Sequence, residues 1–488
     1  MKSIKIIATL LILFCAVINI GAQNITSNSK VLYKEINGDS LYLHIFKPQL
    51  SKKPTAAIVF FFGGGWASGT PEQFYQQSEY FASRGILAIS AEYRIKNTHN
   101  TSPFDCVEDA KSAIRWIREH AKELNVNPNK IVASGGSAGG HIAITTALIE
   151  GLENVSENSS ISSVPNAVVA YNPVLDTTEK GYGHKKVVGR ETEISPTHQV
   201  KKDLPPMLIF HGTKDKTVPF ENAERFTSLM KEAGNECELV AVDNVGHGFF
   251  NGDFFRKGAG NKYFNLTTYK TDVFLEKLCY LKGKPTLAEN IKHISCVGDS
   301  NNEAKYPSFL QEKLGNEYQV KNFGKGGATL IDGTNHPYFK KEQYKNSLKF
   351  TPDIVLIMFG TNDANVKWCL DENRKTEFIG TPQEEFKSQY VKLIKSYKHK
   401  NENAEVYVLT PLPIYEHAKS RDPEIKQRIK HLNEWVIPII KVISEEENVQ
   451  LLDVNKLMKK AYNCTVDGVH LNNKGYEILA KKIAQEIK

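Results

Sequence analysis

The sequence predicts two α/β units in tandem, each built on a mostly parallel sheet covered on both faces. Three observations carry this expectation. The chain has 488 residues, and at roughly 100–200 residues per domain such a length favours two or three domains. Short, nearly continuous apolar runs alternate with stretches whose apolar residues recur at helical spacing, the pattern of strands buried on both faces. The alternation breaks at Lys282-Gly283-Lys284-Pro285 and restarts at Ile291, which places a linker across 284–290.

In the first unit, 30–283, Ala56 to Phe62 (AAIVFFF) is an apolar run that ends in Gly63-Gly64-Gly65. Gly85 to Tyr93 is a second run. Val107, Ala110, Ala113, Ile114 and Ile117 keep a helical period within Asp105 to Leu124. Lys130 to Ser134 reads as a strand entering glycines, and a helix is expected from Gly140 to Ile149. Ala167 to Tyr171, Met207 to His211 and Glu238 to Val242 are further strands, and a helix over Tyr269 to Leu281 closes the unit. In the second unit, 291–488, strands are expected at Ile294 to Val297, Tyr318 to Asn322, Ile354 to Phe359, Val406 to Leu409 and Val449 to Leu452. Helices are expected at 306–314, 383–398, 424–446 and 474–487. The halves share no motif-level repeat, so they are two different folds joined.

Composition narrows the function classes. The chain is 41% hydrophobic and 24% charged, an ordinary globular balance with material for more than one core. Its net charge of +7 comes from scattered lysines, which argues against nucleic acid as the natural partner. Residues 1–22 differ. Lys2 and Lys5 precede a nearly continuous apolar run, Ile6 to Ile18, and Ile20-Gly21-Ala22 ends it. This predicts a secretory signal peptide cut after Ala22. The run is shorter than the ~20 residues of a spanning helix. The expected location is therefore the periplasm or the cell exterior. After cleavage six cysteines remain: Cys106, Cys237, Cys279, Cys296, Cys369 and Cys464. None forms a CxxC pair, so no zinc site is expected. Three fall in each unit, and free buried thiols are expected.

Gly135-Gly136-Ser137-Ala138-Gly139 reads G-x-S-x-G between an expected strand and an expected helix. A sharp turn there needs small flanking residues and holds the serine hydroxyl out at the strand end. A serine needs a general base. His247 lies in Gly246-His247-Gly248 after one strand, and Asp215 lies in a loop after another. Ser137, Asp215 and His247 stand in the chain order of α/β-hydrolases. Gly64 and Gly65, with Ala138, can offer backbone N–H groups to an oxyanion. His141, His211 and Asp243 are weaker alternatives, and the histidines read as packing or rim residues. With these motifs, residues 30–283 resemble the α/β-hydrolase esterases related to acetyl-xylan esterases and hormone-sensitive-lipase-like enzymes, BD-FAE-like proteins included. Where that family usually has HGGG, this chain has Phe62-Gly63-Gly64-Gly65, which changes loop support but removes no N–H donor.

Four blocks order the second unit: Gly298-Asp299-Ser300, Asn322 to Thr329 around Gly327, Gly360-Thr361-Asn362-Asp363, and Asp467-Gly468-Val469-His470. Together they resemble the SGNH (GDSL-type) hydrolases, which implies a flavodoxin-like three-layer α/β/α fold beside the first unit's α/β-hydrolase fold. The resemblance makes Ser300 the nucleophile, His470 its base and Asp467 the acid. It makes Asn362, Gly327 and the Ser300 amide the oxyanion donors. One departure is that Ser300 is followed by Asn301-Asn302-Glu303 rather than a hydrophobic residue and a threonine. Gly324-Lys325-Gly326-Gly327 lacks the spacing of a nucleotide cradle, and no metal or cofactor is expected.

The resemblances imply a carboxylic ester hydrolase acting on acetylated, or feruloylated, plant or algal polysaccharide such as xylan. Alternatives are a carboxylesterase, lipase or serine peptidase in the first unit. A further alternative is a one-site esterase whose other unit binds carbohydrate. Trp66, Tyr75, Tyr80 and Phe249-Phe250 are candidates for an acyl pocket, though aromatics at such positions are more often core.

Overall fold

The computed structural model describes residues 25–49, 53–315, 317–365, 381–416 and 422–487. The expected signal peptide and Cys369 lie outside them. Two sheets organise these residues. In the first, β1 (Ser29–Ile36), β2 (Asp39–Phe46), β3 (Thr55–Phe61), β4 (Leu87–Ala91), β5 (Val126–Gly136), β6 (Ala167–Tyr171), β7 (Met207–Gly212) and β8 (Cys237–Val242) lie in the order β1-β2-β4-β3-β5-β6-β7-β8. From β4 to β8 every neighbouring pair is parallel, while β1/β2 and β2/β4 are antiparallel.

The apolar runs form strands because both faces find a covering layer. Along β3, Ala57, Val59 and Phe61 enter one core cluster and Ala56, Ile58 and Phe60 the other. The β1–β2 hairpin was not expected. Its strands carry charges, and one of them, Lys34, is buried in ion pairs with Glu108 and Asp109, which local pattern cannot reveal. The closing helix runs Lys262–Lys277, earlier at both ends than expected, because the loop before it is fastened down and Cys279 takes a left-handed turn (φ 57°) after it.

The second sheet contains β9 (Lys292–Gly298), β10 (Tyr318–Asn322), β11 (Ile354–Met358), β12 (Glu405–Leu409) and β13 (Gln450–Leu452). They lie in the order β10-β9-β11-β12-β13, all parallel. Val355 and Ile357 of β11 face one cluster, and Ile354, Leu356 and Met358 the other. The helix expected over 424–446 is interrupted by a π turn at Leu432–Val436. Pro438 follows at the start of the next helical stretch, where its missing N–H cannot complete the α ladder.

Among the described residues no disulfide forms. Cys106, Cys237 and Cys296 are buried thiols, but Cys279 is exposed and Cys464 half-buried, so the expectation of burial fails for those two. No helix among them is long and apolar enough to cross a membrane.

Topology sets where chemistry can collect. In each sheet the chain lays successive strands on opposite sides of an early strand, and loops beyond the strand ends open a crevice there. In the first sheet β3 pairs with β5, Phe61 opposite Gly135. The glycine loop after β3 and the serine turn after β5 therefore emerge side by side. In the second, β9 lies between β10 and β11, Cys296 opposite Asn322 and Gly298 opposite Met358. Three of the four sequence blocks leave neighbouring strand ends.

Candidate active sites

In the first domain Ser137 joins β5 to the helix Ala138–Leu148 with φ 54° and ψ −118°, a backbone region hostile to side chains other than glycine. Its surroundings hold it there: the Ser137 amide donates to Tyr171 O at 2.8 Å. Glycine at 139 is obligatory, since a Cβ would stand 2.0 Å from Phe61 O. Ser137 Oγ lies 2.9 Å from His247 Nε2, and His247 Nδ1 lies 2.7 Å from Asp215 Oδ2. With Asp215 ionised, Nδ1 carries the proton and Nε2 is left to accept from the serine.

Asp215 is held by more than the histidine. Asn172 Nδ2 donates to Oδ2 at 3.0 Å, and the amides of Thr217 and Val218 donate to Oδ1 at 2.8 and 3.0 Å. Burial pushes its pKa up, but the bonds from His247, Val218 and Thr217 outweigh this and hold the carboxyl below its ordinary value. Gly64 and Gly65 adopt φ 126° and 63°. The neighbouring Gly63 amide donates to Gln73 Oε1 at 2.6 Å, and Gln73 Nε2 donates to Asn251 Oδ1 at 3.1 Å. Gln73 therefore supports the loop. Sequence reasoning found neither Asn172 nor Gln73. A polar residue directly after the β6 strand, Tyr171-Asn172-Pro173, was the only signal for the former.

The competing histidines are structural. His141 Nε2 donates to Ile194 O at 2.7 Å, and burial pushes its pKa down to about 4. His211 Nε2 donates to Val218 O at 3.1 Å and is buried. Asp243 is exposed. Among the aromatics, Tyr75 and Tyr80 are core residues, and Tyr80 donates to Asp272. Phe250 packs against Gly136, where a Cβ would come 2.4 Å from its ring, and Trp66 lies edge-on to His141. All five aromatics are buried.

In the second domain Ser300 Oγ lies 2.9 Å from His470 Nε2, and His470 Nδ1 lies 2.8 Å from Asp467 Oδ2. The three-residue spacing folds into a turn in which Asp467 Oδ1 accepts the amides of Val469 and His470, at 2.9 and 2.8 Å. Burial raises the Asp467 pKa, but these bonds and that of the His470 ring bring it below the ordinary value. This relay is more open than the first: the His470 and Asp467 side chains are 42% and 35% exposed, against 24% and 0% for His247 and Asp215.

Gly327 has φ 72°, a conformation glycine adopts without strain. Asn362 Nδ2 donates to Ala328 O at 3.0 Å, which draws the amide beside Gly327. Arg428, absent from every sequence block, fixes that amide. Its Nη2 donates to Asn362 Oδ1 at 3.0 Å, its Nε to Thr361 O at 2.8 Å, and its Nη1 to Asp422 at 3.0 Å. His431, three residues on and on the same helix face, reaches the loop again, where its Nδ1 donates to Ala364 O at 2.8 Å. The unusual residues after Ser300 have structural work. Asn302 is buried against Gly298 and Gly324 and donates to Tyr306, while Glu303 accepts the Gly326 amide at 2.6 Å. Asp363 is buried and takes the amides of Leu330 and Ile331 at 2.8 and 3.1 Å. Burial first, and then the nearby Asp299 charge, push its pKa up to about 7.

Each relay can deprotonate its serine for attack on a carbonyl carbon. Comparison with known proteins fits this chemistry. Residues 43–230 match the BD-FAE family, and residues 294–478 match the GDSL-like lipase/acylhydrolase family. An acetylxylan esterase of Xylanibacter ruminicola is 29% identical over 470 residues, spanning 88% of this chain and 90% of that protein. The apo form of Thermogutta terrifontis esterase 2 is 46% identical with a TM-score of 0.51, covering 54% of this chain and 98% of that one. The same esterase phosphonylated by cyclosarin is 47% identical with a TM-score of 0.50, covering 52% of this chain and 96% of that one.

Proposed function

Since the chain is a carboxylic ester hydrolase made of a BD-FAE domain followed by a GDSL-like lipase/acylhydrolase domain, we propose that it removes acyl groups from polysaccharide with two independent serine nucleophiles. The observation that carries this is the pair of Ser–His–Asp relays, each with a serine–histidine distance of 2.9 Å. Similarity to the acetylxylan esterase across both domains supports acetyl as the acyl group and xylan as the glycan.

At each site the serine oxygen attacks the ester carbonyl while histidine Nε2 takes its proton. The tetrahedral oxyanion is received by N–H donors: Gly64, Gly65 and Ala138 in the first site, and Ser300, Gly327 and the Asn362 amide in the second. Collapse breaks the ester C–O bond, and the histidinium protonates the departing sugar hydroxyl. Water, deprotonated by the same histidine, then attacks the acyl-enzyme and releases the acid with regeneration of the serine. The more open second relay suits a bulkier acyl group such as feruloyl. The amino-terminal segment, Lys2 to Ala22, supports export of the chain to the periplasm or beyond.

The test measures acetate and hydroxycinnamate released from natural xylan by the full chain, Ser137→Ala and Ser300→Ala, alongside fluorophosphonate labelling. Two labelled serines and residual release by each single variant are expected. One labelled serine would leave the other domain as a binding or structural unit, and no acid released by the unaltered chain would refute the polysaccharide reading.

A further inference from the structure

The loop that carries His247 does not end within its own domain. Between His247 and the helix Lys262–Lys277, residues 248–261 reach the second domain. Asp253 pairs with Lys321 at 2.7 Å, and the Asn261 amide donates to Gln319 Oε1 at 2.8 Å. Just beyond, the Lys262 amide donates to His293 Nε2 at 3.2 Å and the Lys262 ammonium pairs with Asp353 at 2.6 Å. Gly260 (φ 72°) lies against the stacked rings of His293 and Phe350, 4.1 Å between centroids. A Cβ there would come 2.5 Å from His293 and 2.7 Å from Phe350.

From these contacts we infer that the second domain is a positioning element of the first domain's active site. This rests on reading Ser137 and His247 as a catalytic relay. The grip comes from the start of β9, from the edge strand β10 and from Asp353 ahead of β11. Ser300 and its oxyanion loops leave the C-terminal ends of those strands, away from His293, Gln319 and Asp353 at their starts, while Lys321 lies one residue before the end of β10 and outside the relay and its donors. The second domain therefore holds the first with residues its own chemistry does not use.

Inside the first domain the loop ties together both halves of the catalytic machinery. Asp253 Oδ1, the atom that meets Lys321, also accepts the amides of Gly258 and Gly260 at 2.9 and 3.2 Å, so the pair organises the loop's far end. Asn261 Oδ1 passes this inward, accepting from the Asp253 amide at 2.8 Å and from Gln76 Nε2 at 3.3 Å. At the near end Asn251 Nδ2 donates to the carbonyl of Gly248, the residue after His247, at 2.9 Å. Asn251 Oδ1 accepts from Gln73, which holds the Gly63 amide of the oxyanion loop. A shift of the loop therefore moves the base and the oxyanion donors together. Phe249 and Phe250 anchor it in the core, which bounds the expected loss.

The experiment uses the full chain in two backgrounds, with a soluble acetyl ester as substrate. In Ser300→Ala, turnover reports the first site. Adding Lys321→Met with Gln319→Leu is expected to lower kcat about tenfold with KM changed by less than about twofold, as misplacement of reacting groups does. Lys321→Arg alone, which keeps the ion pair, is expected to retain kcat. In Ser137→Ala, where turnover reports the second site, Lys321→Met with Gln319→Leu is expected to leave activity within about twofold. Unchanged first-site turnover overturns the inference, and so does an equal loss at both sites, which marks general destabilisation. If Ser300→Ala alone has no turnover while Ser137→Ala retains it, the first relay itself is refuted, and the inference with it.

Discussion

Arg428 offers a direct test of how the second oxyanion hole is built. The perturbation is Arg428→Met, alone and with Asn362→Ala, in a Ser137→Ala chain so that turnover reports Ser300. Arg428 is buried and donates to Thr361 O, Asn362 Oδ1 and Asp422. Its bond to Oδ1 decides which way the amide faces, because it reserves Nδ2 for the side of Ala328 O and Gly327. Loss of one oxyanion donor costs about 10²–10³ in kcat, or ~3–4 kcal/mol, and this is expected for Asn362→Ala. A hydrogen bond from a charged donor contributes about 1.5–3 kcal/mol, so Arg428→Met is expected to lower kcat by about 10–100-fold. In both cases the loss falls on kcat, since the oxyanion exists only after attack. If Arg428 acts through the amide, adding Arg428→Met to Asn362→Ala costs less than about threefold more. Steady-state kinetics on an acetyl ester reads this cycle, with thermal unfolding checking that each variant folds. An equal cost of Arg428→Met in both backgrounds would refute the reasoning and leave Arg428 as a support of the fold alone.

Two further predictions concern stability. Asp363, lifted from 3.8 to about 7, binds its proton more tightly in the folded state than in the unfolded one. The stability tied to that proton is present below pH ~4 and is lost as pH rises through ~7, by about 4 kcal/mol in all. Asp363→Asn keeps an acceptor for Leu330 and Ile331 but removes the titration. Its second-domain denaturation midpoint is expected to lack this decline, and an identical pH slope in both proteins would count against it. Ser137 at φ 54° and ψ −118° holds about 1–3 kcal/mol of backbone strain. Ser137→Gly is therefore expected to unfold at a higher denaturant concentration than Ser137→Ala, with both unlabelled at that position by fluorophosphonate. A lower midpoint for glycine would contradict the strain.

What was legible in the sequence follows from how far each interaction reaches along the chain. AAIVFFF reads as a doubly buried strand because its whole surface is apolar, and Ala56 to Phe61 indeed divide between two cores. Asp467 and His470 are three residues apart and share one turn, so their pairing was readable. The glycine loops were readable because backbone approach tolerates no Cβ. By contrast, the first hairpin was hidden because Lys34 reads as a surface residue until Asp109, 75 residues away, is placed beside it. Arg428 meets Asn362 across 66 residues, and no spacing rule links an arginine on one helix to an amide on another loop. Gln73 was invisible for the same reason: it serves through Gly63 and Asn251, the latter 178 residues away.

The two relays reach the same distances by different routes, and this gives them different vulnerabilities. In the first, serine, aspartate and histidine follow β5, β7 and β8, so their geometry depends on the register of the sheet and on the loop beyond His247. That loop spans two domains. In the second, acid and base share a turn closed by its own backbone: the Val466 amide donates to His470 O at 2.8 Å and the Asn472 amide to Cys464 O at 2.7 Å. Only its docking against Ser300 is long-range, and Tyr415, whose amide donates to Gly468 O at 2.9 Å, fixes it from the β12 side. A locally closed turn tolerates motion elsewhere in the chain, whereas a site assembled from three strands and a shared loop does not. Sequence change at the domain boundary should therefore register first at Ser137, even though the altered residues belong to the domain of Ser300.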